Sequence, residues 1–219
     1  MLTLLNKQKA LVEAKTAIKT RTIFVTTSLL KSKSENINEK RIQPLNSSFV
    51  NKSWDEIQHE LKVDLKYDQT LTRLQEKMAF KLCMIKKYTP IVEHLLNTHD
   101  NFERLDIIWW YFQWQIDCGA LTDIHDTFKY CVLNGLNSPK GWSFDGQTAY
   151  LNIIFKCSDI AYKAGIPFNM HYLIEAVCDI SNGILKTNPQ LKVKLFRLAG
   201  DVLFDAGKNE EARSLFNNY

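Results

Sequence analysis

Apolar residues recur at intervals of three and four positions along most of the chain, and this spacing predicts α-helices. The first such segment spans residues 4–18, where apolar positions share one helical face and lysines lie on another. Residues 26–53 lose this periodicity and are rich in Ser, Asn and Lys, a composition that buries too little apolar surface to fold. We therefore expect residues 1–52 to form a basic N-terminal arm and a flexible, partly disordered linker.

A helix start is predicted at Ser53, because Glu56 follows it by three residues in the letters SWDE. In this capping box the two side chains satisfy backbone amides that lack a partner inside the helix. An apolar stripe continues without a proline until Pro90, so one long helix is expected over residues 53–90. Its stripe either packs on its own domain or joins two copies of the chain, and the sequence leaves both open.

Three glycines, Gly119, Gly165 and Gly207, each follow an apolar helical run and precede another. A residue just past a helix end often has a left-handed backbone, which glycine adopts without a Cβ clash, so the chain can reverse there. The intervals of 46 and 42 residues match helical hairpins stacked side by side. Residues 91–219 are therefore expected to form an all-α array of about six helices, loosely similar to tetratricopeptide hairpins.

The letters WWYFQW at residues 109–114 concentrate aromatic side chains on one predicted helix. A platform that stacks nucleic-acid bases usually mixes aromatic residues with Lys or Arg, but the nearest charged residues are Asp106 and Asp117. We expect this cluster to be mostly core, and Trp110 and Trp114, on a strip beside the buried one, are the members best placed to reach a partner surface. The stripe expected in the core comprises Leu105, Ile108, Trp109, Phe112 and Ile116.

The composition is that of a globular chain, since 45% of the 219 residues are apolar and 11% are aromatic. The longest unbroken apolar run, residues 107–112, is far shorter than a membrane span of about 20 residues, and no run of signal-peptide length begins the chain. We expect no membrane contact and a cytoplasmic location. Five widely spaced cysteines are expected to be reduced core residues, without disulfides, a zinc site or any other cofactor.

Charge is unevenly distributed along the chain. Residues 1–90 contain 17 basic and 9 acidic residues, whereas residues 91–219 contain 11 and 15. A basic segment attracts polyanions and binds phosphates by releasing counterions, although a solvated basic surface without a partner remains the alternative. The expected phosphate-contacting residues are Lys7, Lys9, Lys15, Lys19, Arg21, Lys31, Lys33, Lys40 and Arg41. A second basic set, in case the first does not bind, comprises Lys77, Lys81, Lys86 and Lys87.

The sequence shows no convincing catalytic motif. It contains no Gly-rich phosphate loop, no Gly-x-Ser-x-Gly elbow, no His-Glu-x-x-His and no Cys-x-x-Cys. The nearest approach to a metal or acid–base cluster is DIHD, with Asp123, His125 and Asp126. We expect these residues at a helix start, where Asp123 caps backbone amides and acidic side chains favour the positive end of the helix dipole.

The order of these features resembles the small terminase subunit of temperate tailed bacteriophages, the family labelled phage terminase endonuclease subunit. The resemblance covers about residues 75–217, through KKYTPIVEHLL, then WQIDCGALTDIHDTFKYCVLNGLNSP, and a closing hairpin RLAGDVLFDAGKNEEARSLF. Packing and turn residues carry it, so it indicates a family more than a mechanism. Its most specific parts are the helix end at Trp114, Ile116, Asp117 and Gly119, the helix and turn of residues 130–139, and the final Asp-x-Gly hairpin.

The resemblance implies a protein that recognises concatemeric double-stranded viral DNA at the packaging start and brings it to a large terminase subunit. It also implies a homo-oligomer inside the host bacterial cell. The endonuclease label suggests cutting, but the sequence offers no acidic metal cluster of nuclease type, so we assign cutting to the complex and favour a non-catalytic DNA-binding subunit. The expected oligomer interface is the apolar stripe nearest the basic arm, formed by Leu71, Leu74, Met78, Leu82 and Ile85.

Two other functions stay open. One is a helical scaffold that binds a peptide or a partner helix without binding DNA, and the other is a metal-dependent endonuclease. Salt-dependent DNA binding by residues 1–90 separates the adaptor from the scaffold. Cleavage of DNA by the isolated chain with magnesium would establish the endonuclease.

Overall fold

Eight α-helices and the loops between them form residues 52–216, the part of the chain that the computed structural model describes. No strand occurs among these residues, so the predicted all-α fold is confirmed there. The boundary predicted between the arm and the rest of the chain stays a prediction. The helices are α1 (Trp54–Thr70), α2 (Leu74–Thr98), α3 (Asp106–Asp117), α4 (Leu121–Leu133), α5 (Gly146–Ala164), α6 (His171–Ser181), α7 (Pro189–Asp205) and α8 (Asn209–Phe216).

The capping box predicted at Ser53 begins α1 and is confirmed. The backbone N–H of Glu56 donates to the Ser53 hydroxyl at 3.3 Å, and the backbone N–H of Ser53 donates to the Glu56 carboxylate at 2.7 Å. This second hydrogen bond lowers the pKa of the Glu56 carboxyl. Asp145 and Asn188 cap α5 and α7 in a similar way, each accepting one backbone N–H. These helix starts are therefore encoded by residues adjacent in the sequence.

The single long helix expected over residues 53–90 is wrong, because the structure divides this segment into two helices. Leu71 and Arg73 are extended, with ψ angles of 127° and 133°, and the chain reverses between α1 and α2. No proline or glycine marks the break. The reversal lets Ile57 and Leu61 reach the core, which stabilises the fold by about 1.5–3 kcal/mol for each buried side chain. That gain exceeds the few tenths of a kcal/mol per residue at stake in helix propensity.

A second difference lies at Pro90, which the prediction places at the end of a helix, whereas α2 continues to Thr98. A proline inside a helix removes one backbone hydrogen bond and crowds the carbonyl four residues earlier, here that of Lys86. Lys86 and Pro90 are both exposed, so water can solvate that carbonyl. Tyr88 and Val92, on the opposite side of the helix, are 0% exposed, and their packing offsets the cost.

Six helices follow α2, as the glycine pattern predicts, and each packs on the next one. Helix α5 also contacts α7, so it lies at the centre of the array. The chain reverses after α3, α5 and α7 at Gly119, Gly165 and Gly207. Their φ angles of +85°, +60° and +78° confirm the predicted left-handed helix ends.

The aromatic segment of α3 is part of the hydrophobic core. Trp109 and Phe112 are both 1% exposed, and their rings lie 5.4 and 4.9 Å from that of Phe128 on α4. Trp114, one of the two residues that the pattern places nearest a partner surface, is instead part of the core, since it is 1% exposed and its ring lies 5.5 Å from that of Tyr88. Helix α2 covers one side of α3 and α4 covers another, so Trp114 of the second aromatic strip is buried together with the first strip.

Three residues of the predicted aromatic pattern remain partly accessible. Leu105 and Ile116, at the two ends of the predicted stripe, are half-buried and pack against the core. Trp110 is also half-buried, and its ring lies 5.7 Å from that of Trp142 in the loop between α4 and α5. Trp110 is thus the one of the two predicted partner-facing tryptophans that keeps some access to solvent.

Replacing Trp109 with Ala should lower the free energy of unfolding by about 3–5 kcal/mol, because it removes a large buried ring from the core. Trp109→Phe is the matched control and should cost less, since it keeps a ring and removes an indole N–H that has no hydrogen-bond partner among the described residues. Urea denaturation measures both. A Trp109→Ala protein of unchanged stability that had lost affinity for DNA would make this cluster a binding surface.

Candidate functional site

The basic residues predicted to contact phosphates, from Lys7 to Arg41, lie outside the described residues, so their role stays a prediction. The second basic set is mostly unsuitable for that role. Lys81 Nζ lies 2.5 Å from Asp117 Oδ2, and the Lys87 side chain is 11% exposed and ion-paired. These two cations stabilise the fold, and their use as free phosphate contacts is wrong.

Partly buried charges hold α1 against α2 at the base of their hairpin. Lys87 Nζ lies 2.8 Å from Glu60 Oε1 and 2.6 Å from Asp64 Oδ2. The Tyr88 hydroxyl donates to the same Asp64 oxygen at 2.6 Å, and Lys52 Nζ lies 2.6 Å from Glu60 Oε2. Each carboxylate thus has two partners, which is what a partly buried ion pair needs to offset its lost hydration. We call this group the base clamp.

The base clamp shifts the pKa values of its members. Burial acts to raise the pKa of Glu60, but hydrogen bonds from Lys52 and Lys87 outweigh it, so that pKa is lowered. Burial acts to lower the pKa of Lys87, but hydrogen bonds to Asp64 and Glu60 outweigh it, so that pKa is raised. Both shifts favour the charged forms of Glu60 and Lys87.

Helix α2 is about twice as long as the helix that packs on it. Its 25 residues span about 37 Å, whereas the 12 residues of α3 span about 18 Å. The two helices run antiparallel, because Lys81 pairs with Asp117 at the end of α3 while Tyr88 packs on Trp114 one turn earlier. The first two turns of α2 therefore extend past the end of α3. With the end of α1 they form a protrusion, residues 63–82, which we call the hairpin tip.

The hairpin tip exposes much of the predicted oligomer interface. Leu74 is 75% exposed and Leu82 is 47% exposed, while Leu71 and Met78 are half-buried. Ile85 lies beyond the tip, where it is half-buried and packs against the core. Leu74, Met78 and Ile85 share one side of α2, and α3 is too short to cover the first two of them.

Sequence reasoning missed two further apolar residues of the tip, Val63 and Tyr67, which are 51% and 55% exposed. Their own spacing of four residues places them on one face of α1, away from buried Ile57 and Leu61, and this was the available signal. The ring of Tyr67 lies 5.3 Å from that of Phe80, so it joins the two helices of the tip.

His125 is buried in a polar contact between three helices. Its Nε2 lies 2.9 Å from the Tyr150 hydroxyl of α5, its Nδ1 lies 2.8 Å from Asp126 Oδ1, and its ring stacks on Tyr172 of α6 at 3.8 Å. Burial raises the pKa of Tyr150. The expectation that Asp123 caps this helix is wrong, because α4 begins at Leu121 and places Asp123 inside its first turn.

Lys129 extends this polar contact between α4 and α6. Its Nζ lies 2.7 Å from Glu175 Oε1 and 2.5 Å from Asp179 Oδ2. Because every polar atom of the His125 ring is engaged and its side chain is 1% exposed, the group joins helices and leaves no open position for a substrate.

Across residues 52–216, no group of three or more His, Cys, Asp or Glu side chains has the geometry to hold a metal ion. The five cysteines are free thiols. None of the described helices is long and apolar enough to cross a membrane. In comparisons with known proteins, no family model, no curated protein and no solved structure matches the chain.

Replacing Leu74 and Met78 with Asp should separate the copies of an oligomer that forms through the hairpin tip, because it places charges in an apolar contact. The fold should tolerate Leu74→Asp within about 0.5 kcal/mol, since Leu74 is exposed and an acid at a helix start is favoured. Light scattering measures the oligomer and urea denaturation measures stability. Ile160→Asp, at a 62% exposed site on α5, is the matched control and should leave the mass unchanged.

Replacing Lys87 with Met should lower the free energy of unfolding at pH 7 by about 3 kcal/mol, because Glu60 and Asp64 lose their shared cation. The lowered pKa of Glu60 means that its contribution is present above about pH 4.3 and is lost as the pH falls through the folded-state value. The difference between wild type and variant should therefore shrink in acid. Urea titrations from pH 3 to 8 test this, and the exposed neighbour substitution Lys86→Met should have little effect at any pH.

Proposed function

We propose that this protein is a viral DNA-packaging adaptor of the small terminase type, which binds concatemeric phage DNA and recruits a large terminase subunit. The resemblance of residues 75–217 to that family supports the proposal. So does the charge distribution, because residues 1–51 contain nine basic and three acidic residues. Such a segment is suited to phosphate contacts that do not depend on base sequence.

The observation that carries the proposal is the apolar hairpin tip, which begins 12 residues after the end of the basic segment in the chain. One basic arm binds DNA weakly at physiological salt, since sequence-independent contacts give dissociation constants of about 10⁻⁴ to 10⁻⁶ M. Joining copies through Leu74, Leu82 and Tyr67 would gather several arms onto one duplex. The affinity of the assembly would then exceed that of a single arm by avidity, without any new contact.

An adaptor needs to position DNA for the large subunit and needs no catalysis by this chain. The charged residues of the base clamp and the buried His125 contact hold helices together, so they serve the fold that carries the arms. The experiments that test the adaptor function also test the two alternative functions, the scaffold and the endonuclease. Magnesium-dependent cleavage of duplex DNA by the isolated chain would favour the endonuclease.

Deleting residues 1–45 should weaken the binding of duplex DNA and flatten its salt dependence. Each lost phosphate contact removes about 0.9 from the slope of log K against log[salt]. Fluorescence anisotropy over a series of NaCl concentrations measures the slope. A full-length protein in which the nine basic residues are changed to Gln keeps the chain length and should reproduce the effect.

A salt slope that survives the deletion unchanged would move DNA binding to another part of the chain. A wild-type protein that binds no duplex DNA at low salt, yet forms an oligomer, would contradict the adaptor and favour the scaffold.

A further inference from the structure

The first half of α7 and the loop that leads into it carry four basic side chains. No Asp or Glu occurs between Asp179 and Asp201. We call this surface the α7 basic face, and we propose that it is a second phosphate-binding surface, which contacts the backbone of duplex DNA. It consists of Lys194 and Arg197, which lie three residues apart on one side of α7, together with Lys186 in the loop before the helix, whereas Lys192 lies on another side of α7.

The cations of the α7 basic face differ from most others in the described part of the chain. Elsewhere in the array Lys129, Lys163 and Lys208 each pair with acidic side chains. Among residues 52–216 no acidic side chain forms an ion pair with Lys186, Lys194 or Arg197. Lys186, Lys194 and Arg197 are exposed, and Lys192 is half-buried with its Nζ 5.3 Å above the ring of Phe196.

The position of these charges on the helix makes an anion favourable there. Lys192 and Lys194 lie in the first two turns of α7, where the helix dipole is positive and acidic side chains are normally stabilising. The first turn of α7 has no acidic residue. The cations and the dipole therefore act in the same sense, and a phosphate near this end of the helix gains from both.

A cleft of about 390 Å³ lies beside the start of α7 and extends the surface. Lys186 and Thr187 line it on one side and Phe144 on the other. Asp145 also lines the cleft, but its Oδ1 accepts the backbone N–H of Thr148.

A nucleic-acid backbone fits this face better than an acidic protein does. Protein interfaces are usually built around buried aromatic or other apolar anchors. Within the first half of α7 the only large apolar side chain exposed beside these cations is Val193, at 41%, while Ile184 and Phe144, near Lys186, are 50% and 39% exposed. Phosphates need no such anchor, because long cationic side chains bind them by releasing counterions. The inference rests on the proposed DNA-binding function and assigns the folded array a direct part in it.

The test is the salt dependence of duplex binding by the full-length protein with Lys186→Gln, Lys194→Gln and Arg197→Gln combined. If two or three phosphate contacts are lost, the slope should fall by about 1.8–2.7. The matched control changes Lys156, Lys208 and Arg213 to Gln, which removes the same number of exposed charges and should leave the slope as in wild type. The melting temperature of the α7 variant should be unchanged or higher, because cations leave a positive helix end.

An α7 variant with the wild-type slope, in a wild-type protein that binds duplex DNA, would overturn this inference and leave the proposed function standing. Wild type that binds no duplex would overturn both. If the α7 variant binds duplex DNA as wild type does but no longer binds poly-glutamate, the face belongs to an acidic protein partner. That result would also overturn the inference.

Discussion

Two antiparallel helices of unequal length determine how this protein presents its surfaces. Helix α3 covers α2 only from Lys81 onward, so the first turns of α2 have no neighbour on that side. The base clamp fixes α1 against the covered part of α2 through Lys87, Glu60 and Asp64. The hairpin is therefore anchored at one end and open at the other. Its open end exposes Leu74 and other apolar side chains that a monomer would leave in water.

Some basic side chains in the described part of this protein stabilise the fold through ion pairs, and others there have no acidic partner and can contact a ligand. The cations at the centre of the described fold are paired, since Lys81, Lys87 and Lys129 each join two helices through acidic partners. Among the described residues, Lys186, Lys194 and Arg197 of the α7 basic face are exposed and form no ion pair. The same is true of some lysines of α1 and α2, such as Lys62 and Lys86. The most basic part of the sequence lies outside them, in residues 1–51. We infer that the folded array supplies position and assembly, and that polyanion contacts are made from the arm and from α7.

The sequence predicts the features that depend on neighbouring residues. The Ser53 capping box and the helix ends at Gly119, Gly165 and Gly207 are confirmed, because each depends on local backbone geometry. The break between α1 and α2 has no local signal, since it results from the burial of Ile57 and Leu61 against distant residues.

Features that depend on packing between helices also have no local signal in the sequence. Trp114 is buried by α2, and no periodicity within α3 predicts that contact. Gly200, inside α7, allows the ring of Phe216 so close that a Cβ at this position would clash with it. The exposed tip residues were predicted only in part, because exposure depends on where α3 ends.

Cross-linking of lysines in a mixture of normal and ¹⁵N-labelled full-length protein tests the central claim most directly. Lys66 and Lys77 lie on the hairpin tip. If copies meet there, peptides that link these lysines should carry one labelled and one unlabelled partner. If the two peptides of every cross-link at the tip carry the same isotope, the copies do not meet there. That result would contradict assembly through the hairpin tip, whether or not mixed pairs form elsewhere.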